Sequence, residues 1–167
     1  MFTYSGIENA SKPAFYDALA TQVAHLIEGE SNELANLANV SALLNLHLER
    51  INWVGFYLWY SSDKQLILGP FQGKPACIRI PIGKGVCGTA AKEMSTVVVQ
   101  DVLEFSGHIA CDPDSRSEVV VPMVKNGKLI GVLDIDSPEA NRFDAEDAEG
   151  LEKIIKILID GTEFSVR

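Results

Sequence analysis

Between Pro75 and Asp136 stand six side chains whose types do chemistry together: the thiols of Cys77, Cys87 and Cys111, and the carboxyls of Glu118, Asp134 and Asp136. A cysteine is a nucleophile only as the thiolate, and a helix N-terminus or a nearby cation favours that form. Cys87 lies in Gly83-Lys84-Gly85-Val86-Cys87-Gly88, read as the start of a short helix with Lys84 close by. Cys111 sits in a polar loop, three residues after His108 and five before Arg116. Cys77 follows Pro75 into an expected strand and is held more firmly. A thiol on a mobile loop and another on a firm strand suit a peroxidatic and resolving pair, provided the sulfurs reach disulfide distance. Two other uses stay open. Each cysteine serves equally as a small buried hydrophobe, least so Cys111, whose neighbours Asp112-Pro113-Asp114 do not read as core. Zinc is the other: the cysteines with His108 make four ligands. The cysteines, however, are separated by nine and 23 residues, and structural zinc sites pair close ligands.

Asp134 and Asp136 alternate in Leu133-Asp134-Ile135-Asp136-Ser137, so both point to one sheet face. Glu118 falls near them if the Asn126-Gly127 turn sets the register of a hairpin. Clustered carboxylates repel one another. One then has a raised pKa and serves as a proton donor near neutral pH, or the cluster binds an ammonium group. A solvated sheet edge is the alternative use of such acids. Trp53 and Tyr57, two apart on one strand, either wall a small pocket or belong to the core.

The elements that must position these groups follow from periodicity. Ser11 caps a helix with Pro13 in its first turn and an apolar stripe from Phe15 to Ile27. Ser31 is expected to cap a second helix running to about Arg50, with Leu34, Leu37, Ala38, Leu44 and Leu48 as its stripe. His25 and His47 on these helices read as surface or boundary residues. From Ile51 to Tyr60 the period becomes two: Trp53, Gly55, Tyr57 and Trp59 share one face, and Val54, Phe56 and Leu58 the other. Strands are expected over 65–70, 76–81 and 96–100, with a short helix over 86–93 before the last of them. A long polar loop spans 101–116, a length that usually marks function or a lid. The 118–124 and 129–136 strands form the hairpin, and Asp144 caps the last helix. Hairpins with helices grouped at the chain ends indicate an α+β domain, a central sheet with helices on one face.

The 167 residues are 47% hydrophobic and 22% charged, enough for one domain with a real core. A net charge of −9 argues against nucleic acid or an anionic membrane as partner. No apolar run approaches a membrane span, and the N-terminus lacks the pattern of a secretory signal. A cytoplasmic protein is expected, where three cysteines do not form a structural disulfide framework.

The runs Trp53-Val54-Gly55-Phe56-Tyr57, LGPFQGKPAC (68–77), GKGVCGTAA (83–91), HIACD (108–112), SEVVVP (117–122) and GVLDIDS (131–137) together resemble free methionine-(R)-sulfoxide reductase, a single-GAF-domain family. The resemblance covers nearly the whole chain. It implies one GAF domain over 1–167: helices over about 12–50, a six-stranded antiparallel sheet with its loops over about 51–137, and a last helix over about 144–160, the N- and C-terminal helices packed on one face. It further implies Cys111 as nucleophile, Cys77 as resolving thiol and Cys87 as auxiliary thiol. Glu118, Asp134 and Asp136 would bind the substrate amino group and assist proton transfer, with Trp53 and Tyr57 around the methylsulfinyl group. Thioredoxin, fed by NADPH through thioredoxin reductase, would be the reductant. There would be no bound cofactor and no metal, and the protein would be a homodimer serving oxidative repair. The rival readings are a non-enzymatic GAF module that senses redox state or a small ligand, and a plain structural domain.

The polar setting of Cys111 predicts that loop 101–116 closes over substrate. Limited proteolysis with and without methionine checks this: the loop should be protected by ligand, and equal cleavage would contradict closure.

Overall fold

The hairpin near the C-terminus sets the architecture. Strands β5 (Ser117–Lys125) and β6 (Lys128–Ser137) are joined by Asn126 and Gly127. Both residues have positive φ, 52° and 74°, as a two-residue type I′ turn requires. Counting inward from this turn would set Glu118 opposite Ile135. It lies opposite Asp136 instead, because Met123 pairs with Gly131 while Val124 pairs with Leu129. Ile130 is therefore the extra residue of a β-bulge. That single insertion puts Glu118 on the same face as Asp134 and Asp136. Without it Glu118 would share the face of Leu133 and Ile135.

This computed structural model describes residues 2–107, 109, 111–165 and 167. Helices α1 (Lys12–Leu26) and α2 (Glu33–His47) come first. Strands β1 (Trp53–Tyr60), β2 (Gln65–Gly73) and β3 (Arg79–Pro81) follow, then helix α3 (Gly85–Glu93), β4 (Val97–Val99), the hairpin, and helix α4 (Ala145–Asp160). The sheet is antiparallel in the order β3-β2-β1-β6-β5-β4. The α+β expectation and the helical ends hold.

Alternation along the strands divides the molecule. On one face Val54, Phe56, Val119, Val121, Leu133 and Ile135 pack against α1, α2 and α4. Helix α4 begins with a full capping box between Asp144 and Asp147 and buries Leu151, Ile154 and Leu158. On the other face Trp53, Tyr57, Val120 and Val132 meet α3 through Val86, Ala90 and Ala91. Helix α3 thus departs from the expected one-sided packing. No helix among the described residues is long and apolar enough to cross a membrane.

Several local expectations are corrected. The cap of α2 is Asn32, whose side chain accepts from the Ala35 amide, and the helix ends at His47 because Leu48 is extended and Arg50 has positive φ. Leu34 and Ala38 face outward, and the inner face of α2 instead carries Asn36, Leu37, Val40, Ser41 and Leu44. His47 is buried and sits 3.3 Å from Gln22 Oε1, while His25 is exposed. The 76–81 strand is cut to Arg79–Pro81, so Cys77 lies in the connection after β2 and not on a strand. Side chains, described below, hold that connection in place of a ladder.

Deleting Ile130 removes the bulge and forces acids of one hairpin strand into the apolar face. Unpaired buried carboxylates cost several kcal/mol, against a total stability of about 5–15 kcal/mol. The deletion should abolish cooperative thermal unfolding, whereas Ile130→Ala, which keeps the residue count, should melt cooperatively.

Candidate active site

Seven of the eight residues singled out in the sequence line one pocket on the α3 side of the sheet: Trp53, Tyr57, Cys87, Cys111, Glu118, Asp134 and Asp136. The eighth, Cys77, is joined to Cys111 by a disulfide, with Cα atoms 5.4 Å apart. Strands β1, β5 and β6 supply the aromatics and acids, α3 supplies Cys87, and the loop after β4 brings Cys111 across the top. While Cys77 and Cys111 are bonded, neither is a thiolate ligand, so the four-ligand zinc set does not assemble. Its fourth member, His108, lies outside the described residues.

The aromatic wall does two jobs. Trp53 stacks on Tyr57 with centroids 5.8 Å apart, and on Phe71 at 5.2 Å. Its Nε1 donates to the Lys74 carbonyl at 3.1 Å, and the Tyr57 hydroxyl donates to the Cys77 carbonyl at 3.0 Å. The connection carrying Cys77 is therefore held by side chains of β1. Burial, and then the nearby acids, push the Tyr57 pKa upward, so it remains a donor.

The acids are not on a solvated edge, since β3 and β4 are the edge strands. Glu118 and Asp134 are 5% and 7% exposed, and Asp136 is partly buried. Burial raises the pKa of all three. It takes Asp134 to about 6, and Glu118 and Asp136, burdened also by neighbouring carboxylates, well above their ordinary values. Asp134 Oδ1 is buried with no hydrogen-bond partner among the described residues.

Cys87 corrects an expectation. It does sit in the first turn of α3, but Lys84 points to solvent and the groups beside the sulfur are acids. Its Sγ donates to Glu118 Oε1 at 3.8 Å. Burial first, then Asp134, Glu118 and Asp136, push its pKa well up, which keeps it a thiol and a weak nucleophile. Cys87, Glu118 and Asp134 each place one donor atom within 4.8 Å of the others, a cluster able to take a cation, whether metal or ammonium.

A family model for the GAF domain matches residues 18–157. Over 145 residues the chain is 51% identical to the free methionine-R-sulfoxide reductase of Escherichia coli, covering 87% of each protein. It is 45% identical over 157 residues to the enzyme of that name from Saccharomyces cerevisiae, covering 90% of this chain and 87% of the relative. The X-ray structure of free methionine-R-sulfoxide reductase from Neisseria meningitidis, in complex with its substrate, superposes with a TM-score of 0.92 at 43% identity. That match covers 96% of this chain and 95% of the other.

The chain belongs to the free methionine-R-sulfoxide reductase family of GAF domains.

In this member of the family, the sequence reading missed the polar residues that hold the pocket's roof. Asn52 donates to Asp112 and Ser115, and Lys74 pairs with Asp112 and Asp114. Asn52 and Lys74 were invisible as site residues because each is an ordinary polar residue at a strand end. Only the density of acids after Cys111 hinted at a partner for Lys74.

The raised pKa of Asp134 makes a stability prediction of unusual sign. Between about pH 4 and 6 the folded form binds more protons here than the unfolded form, so this group's contribution falls as pH rises through that range. A shift from 3.8 to about 6 corresponds to a penalty on the order of 3 kcal/mol above pH 6. Asp134→Asn should therefore melt higher than the parent at pH 7, with the difference shrinking toward pH 4. Thermal unfolding across that range checks it.

Proposed function

We propose that this protein reduces free L-methionine-(R)-sulfoxide to methionine. The observation that carries the reading is a disulfide-forming cysteine pair closing over buried carboxylates. Membership of the family supports it.

The Cys111 thiolate attacks the sulfoxide sulfur while a carboxylic acid of the cluster protonates the departing oxygen. The oxygen passes to Cys111 as a sulfenic acid, and methionine leaves. The Cys77 thiol condenses with the sulfenic acid, giving the disulfide and water. A thioredoxin-type dithiol then returns two electrons and two protons, with NADPH as the ultimate source. No step needs a bound cofactor or metal.

The carboxylates have a second role. A free amino acid carries an α-ammonium that suits a buried acidic cluster, and a methionine within a polypeptide does not. Asp134 Oδ1, lacking a partner, is an acceptor for that group. Glu118, beside Cys87 and with its pKa raised by burial and the neighbouring aspartates, suits the role of acid. Trp53 and Tyr57 offer an apolar surface to the methyl group. A cytoplasmic homodimer acting in oxidative repair completes the proposal. The disulfide also favours a second reading, a redox sensor that uses the same cysteines without turnover.

Thioredoxin-coupled NADPH oxidation separates the two. Free R-sulfoxide should be turned over, and the S epimer and peptide-bound sulfoxide should not. Cys111→Ser should abolish turnover, and Glu118→Gln should lower it about a hundredfold, the scale of a lost general acid. Absence of turnover with any sulfoxide by the folded, reduced protein would leave the sensor reading.

A further inference from the structure

The disulfide is not the only link between the two segments it joins. Lys74, three residues before Cys77, reaches Asp112 at 3.4 Å and Asp114 at 2.5 Å on the loop of Cys111. Asn52, just before β1, donates from Nδ2 to Asp112 Oδ2 at 3.1 Å and to Ser115 Oγ at 3.0 Å. The Asn52 amide is itself anchored on the Asp136 carbonyl at 3.0 Å. Asp112 also accepts from the Asp114 amide at 3.0 Å. The Asp114 amide, then Asn52 and Lys74, hold the Asp112 carboxyl below its usual range.

These contacts are unequal. Lys74 and Asp114 are 60% and 64% exposed, and such surface pairs contribute little. Asp112 is only 9% exposed, and its bond from Asn52 is charge-assisted. The base of the loop is pinned separately, by the Arg116 amide on the Ser137 carbonyl and the Val102 amide on the Arg116 carbonyl. What Asn52 adds is a hold on the segment next to Cys111.

We propose that Asn52 and Asp112 are positioning residues for the thiol pair: a polar latch that keeps the Cys111 loop against the Cys77 segment in the reduced protein, and so sets how readily the disulfide forms. None of the latch contacts includes a sulfur atom, so breaking the disulfide does not itself remove any of them. Disulfide formation between two thiols of one chain depends on how often they meet. Contacts that survive reduction raise that frequency. The inference rests on the disulfide itself and stands whether or not the substrate is methionine sulfoxide.

Equilibration of the purified protein in glutathione buffers tests it. Two glutathione molecules give two electrons to the protein disulfide, yielding two cysteine thiols and one glutathione disulfide. Asn52→Ala should lower the equilibrium constant for disulfide formation about tenfold, which raises the potential by about 30 mV. Asn52→Asp sets carboxylate against carboxylate and should lower it further. Combining Asn52→Asp with Asp112→Asn exchanges donor and acceptor, and should return the constant to within about threefold of the parent. A merely structural role would not be rescued by that exchange. Thermal melting verifies that each variant is folded. Constants for both single Asn52 variants within about twofold of the parent would overturn the latch. So would an exchange variant, folded, that is as reducible as Asn52→Asp. If Asn52→Ala does not fold, the exchange pair against Asp112→Asn alone decides.

Discussion

A single extra residue in one strand holds the site together. The Asn126-Gly127 turn fixes the hairpin, but Ile130 as a bulge shifts its register by one. Because side chains alternate with period two, a shift of one residue exchanges the two faces of a strand. The bulge therefore decides that Glu118 joins Asp134 and Asp136, and that Val119 and Val121 join Leu133 and Ile135 in the core. Chemistry and stability depend on the same parity.

The sheet then separates two environments. The side facing α1, α2 and α4 is a continuous apolar core. The other side carries a smaller apolar cluster into which the acids and Cys87 are set. Burying carboxylates so close together costs free energy, and the protein meets the cost by shifting their protonation. The same burial that raises the acids also raises the Cys87 pKa and favours its thiol form.

The roof of the pocket is assembled from segments with little secondary structure. The connection carrying Cys77 is held by Trp53 and Tyr57 through its carbonyls, and the Cys111 loop by Asn52 and Lys74. Three of these side chains, Asn52, Trp53 and Tyr57, lie on β1 or just before it, and Lys74 lies just after β2. A rigid central strand thus places two otherwise irregular segments near each other. Only the Cys77–Cys111 bond between them is covalent.

Much of this was determined by the sequence alone. The strand faces of β1, the Asn126-Gly127 turn, the Asp144 cap and the helical ends follow from local periodicity and turn chemistry, which act over a few residues. The eight candidate residues stand out by their motifs, and the aspartate pair by its period-two spacing. Tertiary structure decided the rest. A bulge leaves no mark in a hairpin whose turn is ideal: Glu118 is expected near the two aspartates, but a strict count from the turn would set it opposite Ile135, and only the bulge puts it opposite Asp136. The state of Cys87 depends on acids contributed by β5 and β6, far along the chain, and not on its own helix terminus or Lys84. Cys77 left its expected strand because distant side chains satisfy the backbone there. Asn52 became part of the site only when the fold brought Asp112 and Ser115 to it. For Cys87, Cys77 and Asn52 the controlling interaction joins residues remote in sequence, and local pattern carries no information about such a pair.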